Sequence, residues 1–587
     1  MKIARRTFLS ASAIAAAAAA IPARIARAFA PNLAADPRRP QFHFLPAANW
    51  MNDPNGPIYW HGKYHMFCQY NPHAAVWGDM HWAHAVSPDM IHWTHLPVAL
   101  APTPGGPDSE GCFSGTAVIH DNQVVFIYTG VQTVPLAQAT LSDSHNIFRE
   151  TQLYASSSDP LLRTFTKRPA PVIPAPPEGM KITGFRDPAP WREPSLVNGN
   201  WLMAVGSGEK DKGGAILLYE SADLQNWKYL HAAITGSVTG KKADATNPVD
   251  SGDMWECPDL FPLGGKHLLI YSTQGKVFWK IGDLDPQSLL FREHQSGLLD
   301  YGSFYAPKTQ LDKGGNRILW GWIPETRPEV EYSASGWSGL MSLPRTLTLG
   351  PDGRVRIAPA PAVERLRQRE QKLRLTRATG GQQLLASQRL KDACGELLCT
   401  VIPTGHYSGQ PGFEPFSLDL INPDAPKDHP QDANHPAPVS ATTGPANAKA
   451  GSPDTHKEAE QAAAQPGTPD HQSAQEDTTP ASPVPTVSTE ASYLSIRYSR
   501  ANPNELVVDQ QRLPIHLAPG EPLELRFFID GSVIELFAAG QTTFTKRFYY
   551  PGDKAPEIAV SITGNPDSIP RLSLWQLTPI SKNRLTT

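Results

Sequence analysis

One layout recurs five times within the first 323 residues: an alternating apolar strand, a tight turn, and a second apolar strand. The copies run from Pro57 to Tyr70 with the turn at His61-Gly62, and from Thr116 to Thr129 with the turn at Asp121-Asn122. They continue from Ala189 to Val205 around Asn198-Gly199, from Leu260 to Ser272 around Gly264-Gly265, and from Lys308 to Ile323 around Gly314-Gly315. Period-two alternation places one face of each strand in a core, and Asn, Asp and Gly accept the backbone angles that tight hairpins need. A second echo runs through the same region. Ser87-Pro88-Asp89-Met90-Ile91-His92-Trp93 matches Ser221-Ala222-Asp223-Leu224-Gln225-Asn226-Trp227 at its Ser, Asp and Trp. Small sheets at this spacing predict propeller blades, five of them; a large β-sandwich with irregular spacing is the other architecture that the pattern allows. In a propeller the first strand of each hairpin is innermost, so residues far apart in sequence converge on one channel.

The hairpin series stops near Leu349 to Ala362, where Gly and Pro cluster, and the propeller is expected over residues 41–350. The charged run Val363 to Arg377 reads as a short helix or linker strand. Short strand-like runs follow it, from Glu396 to Ile402 through Glu557 to Ile562, without helical periodicity, so residues 360–587 predict a β-sandwich. About 422–492 interrupts it with Pro, Ala, Thr, Asp, Gln and Ser and few aromatics. That composition cannot bury enough apolar surface to offset chain entropy, so a disordered insertion in one loop is expected.

Residues 1–30 read as a targeting segment. Arg5-Arg6-Thr7-Phe8-Leu9-Ser10 precedes an Ala-rich apolar run from Ala11 to Ile21, with small residues at Ala26, Ala28 and Ala30 for cleavage. A twin-arginine signal and an ordinary secretory signal with two arginines both fit, and either takes the protein out of the cytoplasm, to the periplasm or beyond. No stretch has the ~18 apolar residues of a membrane span. A net charge of −4 leaves no broad basic face for nucleic acid. The cysteines are Cys68, Cys112, Cys257, Cys394 and Cys399, an odd number. None forms a Cys-x-x-Cys pair and no His cluster lies nearby, so no zinc site, other metal or cofactor is expected. Cys394 and Cys399 are near enough in sequence to bridge a hairpin.

Three carboxylates stand on stiff turns beside aromatics, each at the start of a hairpin's first strand. They are Asp53 in Trp50-Met51-Asn52-Asp53-Pro54-Asn55-Gly56, Asp187 in Gly184-Phe185-Arg186-Asp187-Pro188, and Glu256 in Trp255-Glu256-Cys257-Pro258-Asp259. Alone, each has a structural explanation: a turn, a local ion pair, a solvated strand end. Together, at equivalent places in a repeat, they suit glycoside cleavage, which needs a fixed carboxylate and a proton donor flanking one bond.

With these motifs the chain resembles glycoside hydrolase family 32, the β-fructosidases. Further matches are Gln69-Tyr70-Asn71-Pro72, Trp77-Gly78, Phe113-Ser114-Gly115, Phe304-Tyr305-Ala306, Gly339 to Arg345, and a late run from Phe527 to Phe537. The resemblance implies a five-bladed propeller followed by a β-sandwich, and a retaining hydrolase of β-fructofuranosidic bonds in sucrose, levan or inulin. It implies Asp53 as nucleophile, Glu256 as acid/base and Asp187 as a stabiliser of the transition state. Asn52, Gln69, Trp77, Phe113, Ser114, Arg186 and Trp322 would complete the fructose pocket, with Trp320 competing for the place of Trp322. Arg186 would hold a hydroxyl or moderate the negative charge, and the Cys257 thiol would tune Glu256. Retention calls for the two reacting carboxyls to stand roughly 5–5.5 Å apart. A fructosyltransferase would share the intermediate, and a non-catalytic fructan-binding protein would have lost an acid.

Overall fold

Each of the five hairpins forms the inner half of a set of four antiparallel blade strands in the computed structural model; Trp337–Ser338 adds a short parallel strand to the first strand of blade 1, and Leu340–Met341 pairs with the second strand of blade 5. The structure describes residues 32–140, 147–237, 254–374, 388–402, 416–421, 492–498, 502, 504–518, 520–550, 558–564 and 569–587. The expected targeting segment and almost all of the expected 422–492 insertion lie outside these residues.

Blade 1 comprises Asn49–Trp60, Lys63–Asn71, His81–Ser87 and Thr94–Leu100; blade 2 comprises Gly111–His120, Gln123–Thr133, Phe148–Ser157 and Thr166–Lys167. Blade 3 is Ile182–Arg192, Trp201–Glu209, Gly213–Ser221 and Lys228–Thr235; blade 4 is Glu256–Leu263, Lys266–Thr273, Lys276–Leu284 and Phe291–Leu298. Blade 5 is Tyr305–Leu311, Arg317–Ile323, Arg345–Leu349 and Val355–Pro359. Its outermost strand therefore uses residues beyond the expected boundary at 350. The first strands pack against one another in cyclic order, and that of blade 5 returns to that of blade 1. The ring is a five-bladed propeller.

Apolar cores fill the spaces between blades. Ile58, Trp60, Phe67 and Trp82 of blade 1 meet Val124, Phe126 and Tyr128 of blade 2. On the other side of blade 2, Val125 and Ile127 meet Phe185, Met203 and Leu217 of blade 3. The alternation in each middle strand thus feeds two different cores, which is why blade strands are apolar on both faces. The Ser-x-Asp echo is the turn between third and fourth strands. Asp89 N–H donates to Ser87 Oγ and Asp223 N–H to Ser221 Oγ, both at 3.2 Å. Blade 2 makes the same turn at Ser157 and Asp159 (3.1 Å).

The second domain is a sandwich of two six-stranded sheets. One runs in the order Gln371–Lys372, Arg571–Gln576, Cys394–Val401, Leu523–Asp530, Val533–Ala538, Thr542–Arg547. The other runs Arg389–Leu390, Ile558–Gly564, Phe416–Ile421, Ser492–Tyr498, Glu505–Val508, Gln511–Pro514. Cys394 and Cys399 do not bridge a hairpin: they lie on one strand and all five cysteines are free and buried. Being five apart, the two thiols point to opposite sides, into separate cores.

A buried ionic network joins the domains. Arg345 of blade 5 donates to Asp300 Oδ2 (2.8 Å) before it, and to Glu535 Oε2 of the sandwich (2.7 Å). His43 lies between Asp530 Oδ2 (2.9 Å) and Glu535 Oε1 (3.0 Å). Burial opposes charge on the His43 imidazole, but the two carboxylates overcome it and raise its pKa.

Candidate active site

All five inner strands break register at an equivalent place, near the start in four of them and mid-strand in blade 3. There, two residues on the inner strand face one on its neighbour: Asn52-Asp53, Phe113-Ser114, Asp187-Pro188, Cys257-Pro258 and Ala306-Pro307. Such bulges re-aim side chains, here toward the channel that the ring encloses. Asp187, Cys257 and Ala306 hold positive φ angles of 63°, 48° and 49°. A left-handed backbone at three non-glycine residues costs energy that the surrounding sheets must supply. The prolines that follow lack an N–H, so the bulges lose no ladder bond at those positions.

The bulges bring the three sequence-identified acids together. Ser114 Oγ donates to Asp53 Oδ2 at 2.6 Å, and Asn52 Nδ2 donates to Asp53 Oδ1 at 3.1 Å. Asn52 Nδ2 also donates to Gln69 Oε1 (3.2 Å), and Gln69 Nε2 donates to Ser114 Oγ. Asp53 is therefore held from both oxygens by a chain of amides and a hydroxyl. The Asp187 Oδ2 atom accepts the Cys257 N–H at 2.8 Å. Glu256 accepts from Arg186 Nη2 at Oε1 (2.7 Å) and from the Tyr305 hydroxyl at Oε2 (2.6 Å).

Cys257 corrects one expectation. Its thiol lies 3.4 Å from Asp53 Oδ2 and 3.5 Å from Asp187 Oδ2, so it bridges those two acids rather than tuning Glu256. Burial and the two carboxylates push its pKa far up, so it stays a neutral donor. Arg186 moderates charge: its other nitrogen, Nη1, donates to Glu150 Oε1 at 3.0 Å, while Glu150 Oε2 accepts the Phe185 N–H at 2.5 Å.

Burial raises the Asp53 pKa, the bonds from Ser114 and Asn52 oppose the rise, and the charge of Glu256 adds to it. Asp187, only 3% exposed, is pushed up to about 6 by burial. Arg186 pulls it down, while the charges of Glu256 and Asp53 push the same way as burial. A cluster like this can present one ionised carboxylate to an electrophilic carbon while another carboxyl exchanges a proton with a departing oxygen.

The other expected pocket residues fall as follows. Trp77 is 58% exposed, edge-on to the half-buried Phe113 at 6.0 Å. Trp322 is half-buried and packs on Trp50 (5.8 Å between rings), whose Nε1 donates to Asn52 Oδ1 at 2.8 Å. Trp320 is 1% exposed and packs on Trp93 in the core, so the structure places Trp322, not Trp320, beside the site. Tyr305 and Trp322 also line a cavity of about 530 Å³ whose far wall comes from the sandwich through Asp509, Gln511, Phe544 and Lys546. Sequence reasoning missed Tyr305 and Glu150 as site residues. Tyr305 carried a signal in the run Phe304-Tyr305-Ala306, and in the fold it precedes the fifth bulge as Glu256 precedes the fourth; Glu150 carried none. Among the described residues no group of three or more His, Cys, Asp or Glu side chains is arranged to hold a metal.

Comparison with known proteins agrees with this geometry. Residues 43–359 match the model for the glycosyl hydrolases family 32 N-terminal domain, and residues 484–576 match that for the family 32 C terminal. The raffinose invertase of Escherichia coli is 38% identical over 365 residues, which span 59% of this chain and 69% of that protein. Beta-fructofuranosidase 1 of Zea mays is 35% identical over 361 residues, spanning 56% of this chain and 51% of that protein. Among solved structures, the Bombyx mori GH32 beta-fructofuranosidase superposes with a TM-score of 0.65 at 26% identity, covering 94% of this chain and 96% of that one. Fructan 1-exohydrolase IIa from Cichorium intybus superposes with a TM-score of 0.66 at 26% identity, covering 92% and 98%.

Proposed function

The chain belongs to glycosyl hydrolase family 32, and on that footing we propose that it is a retaining β-fructofuranosidase acting on sucrose, on fructans of the levan or inulin types, or on both. The observation that carries the reading is the meeting of Asp53, Asp187 and Glu256 at equivalent bulges of three blades. In the first step, an Asp53 oxygen attacks the anomeric carbon of the fructosyl unit, while Glu256 gives its proton to the oxygen that leaves. In the second, Glu256 takes a proton from water as that water displaces Asp53 from the same carbon. The Tyr305 hydroxyl can donate to Glu256 or accept from it, so it keeps a partner in both protonation states. Asp187 accepts fructose hydroxyls, and Ser114, Asn52 and Cys257 stabilise Asp53 as a leaving carboxylate in the second step.

Purified protein is incubated separately with sucrose, inulin and levan, and the products are separated by chromatography. Release of free fructose from at least one of them supports the reading, and fructose alone from a polymer identifies attack at chain ends. Transfer products dominating at high sucrose would make the protein a fructosyltransferase. Binding without turnover would make it a lectin-like protein. The segment from Arg5 to Ala30 directs export by the twin-arginine route. Replacing Arg5 and Arg6 by lysines should retain activity inside the cell, and unaltered export would leave an ordinary secretory signal.

A further inference from the structure

Beneath the acids lies a lysine that the mechanism above does not use. Lys308 follows the bulge of the blade 5 inner strand, and its side chain is only 1% exposed. Its Nζ donates to the carbonyl of Pro258 at 2.9 Å. Pro258 is the second residue of the bulge whose first is Cys257 and which Glu256 immediately precedes. Sealing an ammonium away from water is costly, and native proteins tolerate it where fixed negative charge compensates. That charge is at hand: the Lys308 ammonium acts directly on Asp187 and Cys257, favouring the ionised form of each. Counting Asp53, Asp187, Glu256 and Glu150 against Arg186, four acids would otherwise face one cation.

We propose, resting on the reaction assigned above, that Lys308 is a positioning residue: it ties down the Glu256–Pro258 bulge and supplies the buried positive charge that holds Asp187 ionised beside the other acids. The charged or titratable groups around the acid cluster include Tyr305 on the strand of Lys308 itself, Asp53 of blade 1, Asp187 and Arg186 of blade 3, and Glu256, Cys257 and Asp259 of blade 4. Arg317, on the second strand of blade 5, interacts with Asp259. Lys308 and Arg186 are thus the two cations that act on Asp187.

The test compares wild type with Lys308→Met, which removes charge and donor, Lys308→Gln, which removes the charge, and Lys308→Arg, which keeps it. Two measurements are made: kcat/KM against pH on sucrose or inulin, and Tm at pH 5 and pH 8. Lys308→Met is expected to lower kcat/KM roughly tenfold or more. Its acid limb should move to higher pH by about half a unit or more, because acids without their cation ionise later. Its Tm should fall more at pH 8 than at pH 5, since the added repulsion appears only when the acids are ionised. Lys308→Arg should recover most of the acid limb. An unmoved limb together with an equal Tm loss at both pH values would reduce Lys308 to ordinary packing and overturn the proposal. If Lys308→Met does not fold, Lys308→Gln carries the same outcomes. Failure of both neutral variants to fold would also overturn it, because the lysine would then be structural. Wild type that releases no fructose would instead sink the assigned reaction, and the Tm comparison would still judge the charge role.

Discussion

At the scale of single residues, the site separates roles that the sequence alone left blended. Asp53 and Glu256 differ in their partners: Asp53 is held by Ser114, Asn52 and Cys257, Glu256 by Arg186 and Tyr305. Each performs a step that the other cannot, so Asp53→Ala and Glu256→Ala should each leave folded protein with turnover reduced by several orders of magnitude. Initial rates and a circular-dichroism spectrum check this, and near wild-type turnover by either variant would contradict the assignment. The pH dependence follows from Asp187, whose pKa stands at about 6 against an ordinary 3.8. A carboxyl raised on folding favours the folded state while protonated, and that stability is lost as pH rises through its folded pKa. Activity needs the ionised form, which accepts the Cys257 N–H and sugar hydroxyls. Over pH 4 to 6, kcat/KM should therefore rise while the contribution of Asp187 to stability falls; the absence of an acid limb in that range would contradict the role given to Asp187. The acids were legible because each sits in a short, unusual motif. Glu150 and Lys308 were not, because a glutamate or a lysine within a strand has no local signature; Tyr305 was marked only by the run Phe304-Tyr305-Ala306, and only the closed ring shows what each faces. The doubt between Trp320 and Trp322 has the same origin: strand alternation puts both on one face, and only the blade packing distinguishes core from rim.

At the scale of elements, the bulge is the device that makes a site out of a repeat. The hairpins and their turns were readable as period-two alternation punctuated by Asn, Asp and Gly. The bulges were not, since a register shift arises from what the neighbouring strand and the next blade allow. Gly206 shows the constraint. It pairs with Arg186, and a Cβ placed there would lie 2.5 Å from the carbonyl oxygen of Trp255 and 3.0 Å from that of Arg186. Those are backbone atoms flanking two functional side chains, so neither can yield cheaply. Gly206→Ala should lower kcat at least about tenfold by displacing Glu256 and Arg186, in keeping with the sensitivity of catalysis to ångström-scale misplacement. A variant with unchanged kcat and unchanged Tm would mean that the two blades are not held as tightly as their contacts imply.

At the scale of the whole molecule, the two domains form a single mechanical unit. Arg345 is fully buried and connects Asp300 to Glu535, while His43 connects Glu535 to Asp530. Removing one member strands the others without a partner, at a cost of about 3–5 kcal/mol. Arg345→Met should lower Tm by several degrees in one calorimetric transition; two separate transitions would show that the domains unfold independently. The 422–492 insertion should be dispensable. Ile421 and Ser492 are opposite each other in an antiparallel pair, so its ends already meet, and closure entropy changes slowly with loop length. Replacing Pro423 to Pro485 by a short Gly/Ser bridge should preserve Tm and fructose release, and an insoluble or inactive product would show that the segment contacts the body. The domain order was evident from where the hairpins stopped, but the ionic joint was not, since its members lie up to nearly 500 residues apart.

The proposed reaction is a double displacement through Asp53, and the configuration of the first sugar released from sucrose tests it most directly. Proton NMR recorded within the first turnovers, before mutarotation, should show β-fructofuranose, the configuration of the bond that was cleaved. Initial appearance of the α anomer would mean a single displacement by water and would contradict the role assigned to Asp53.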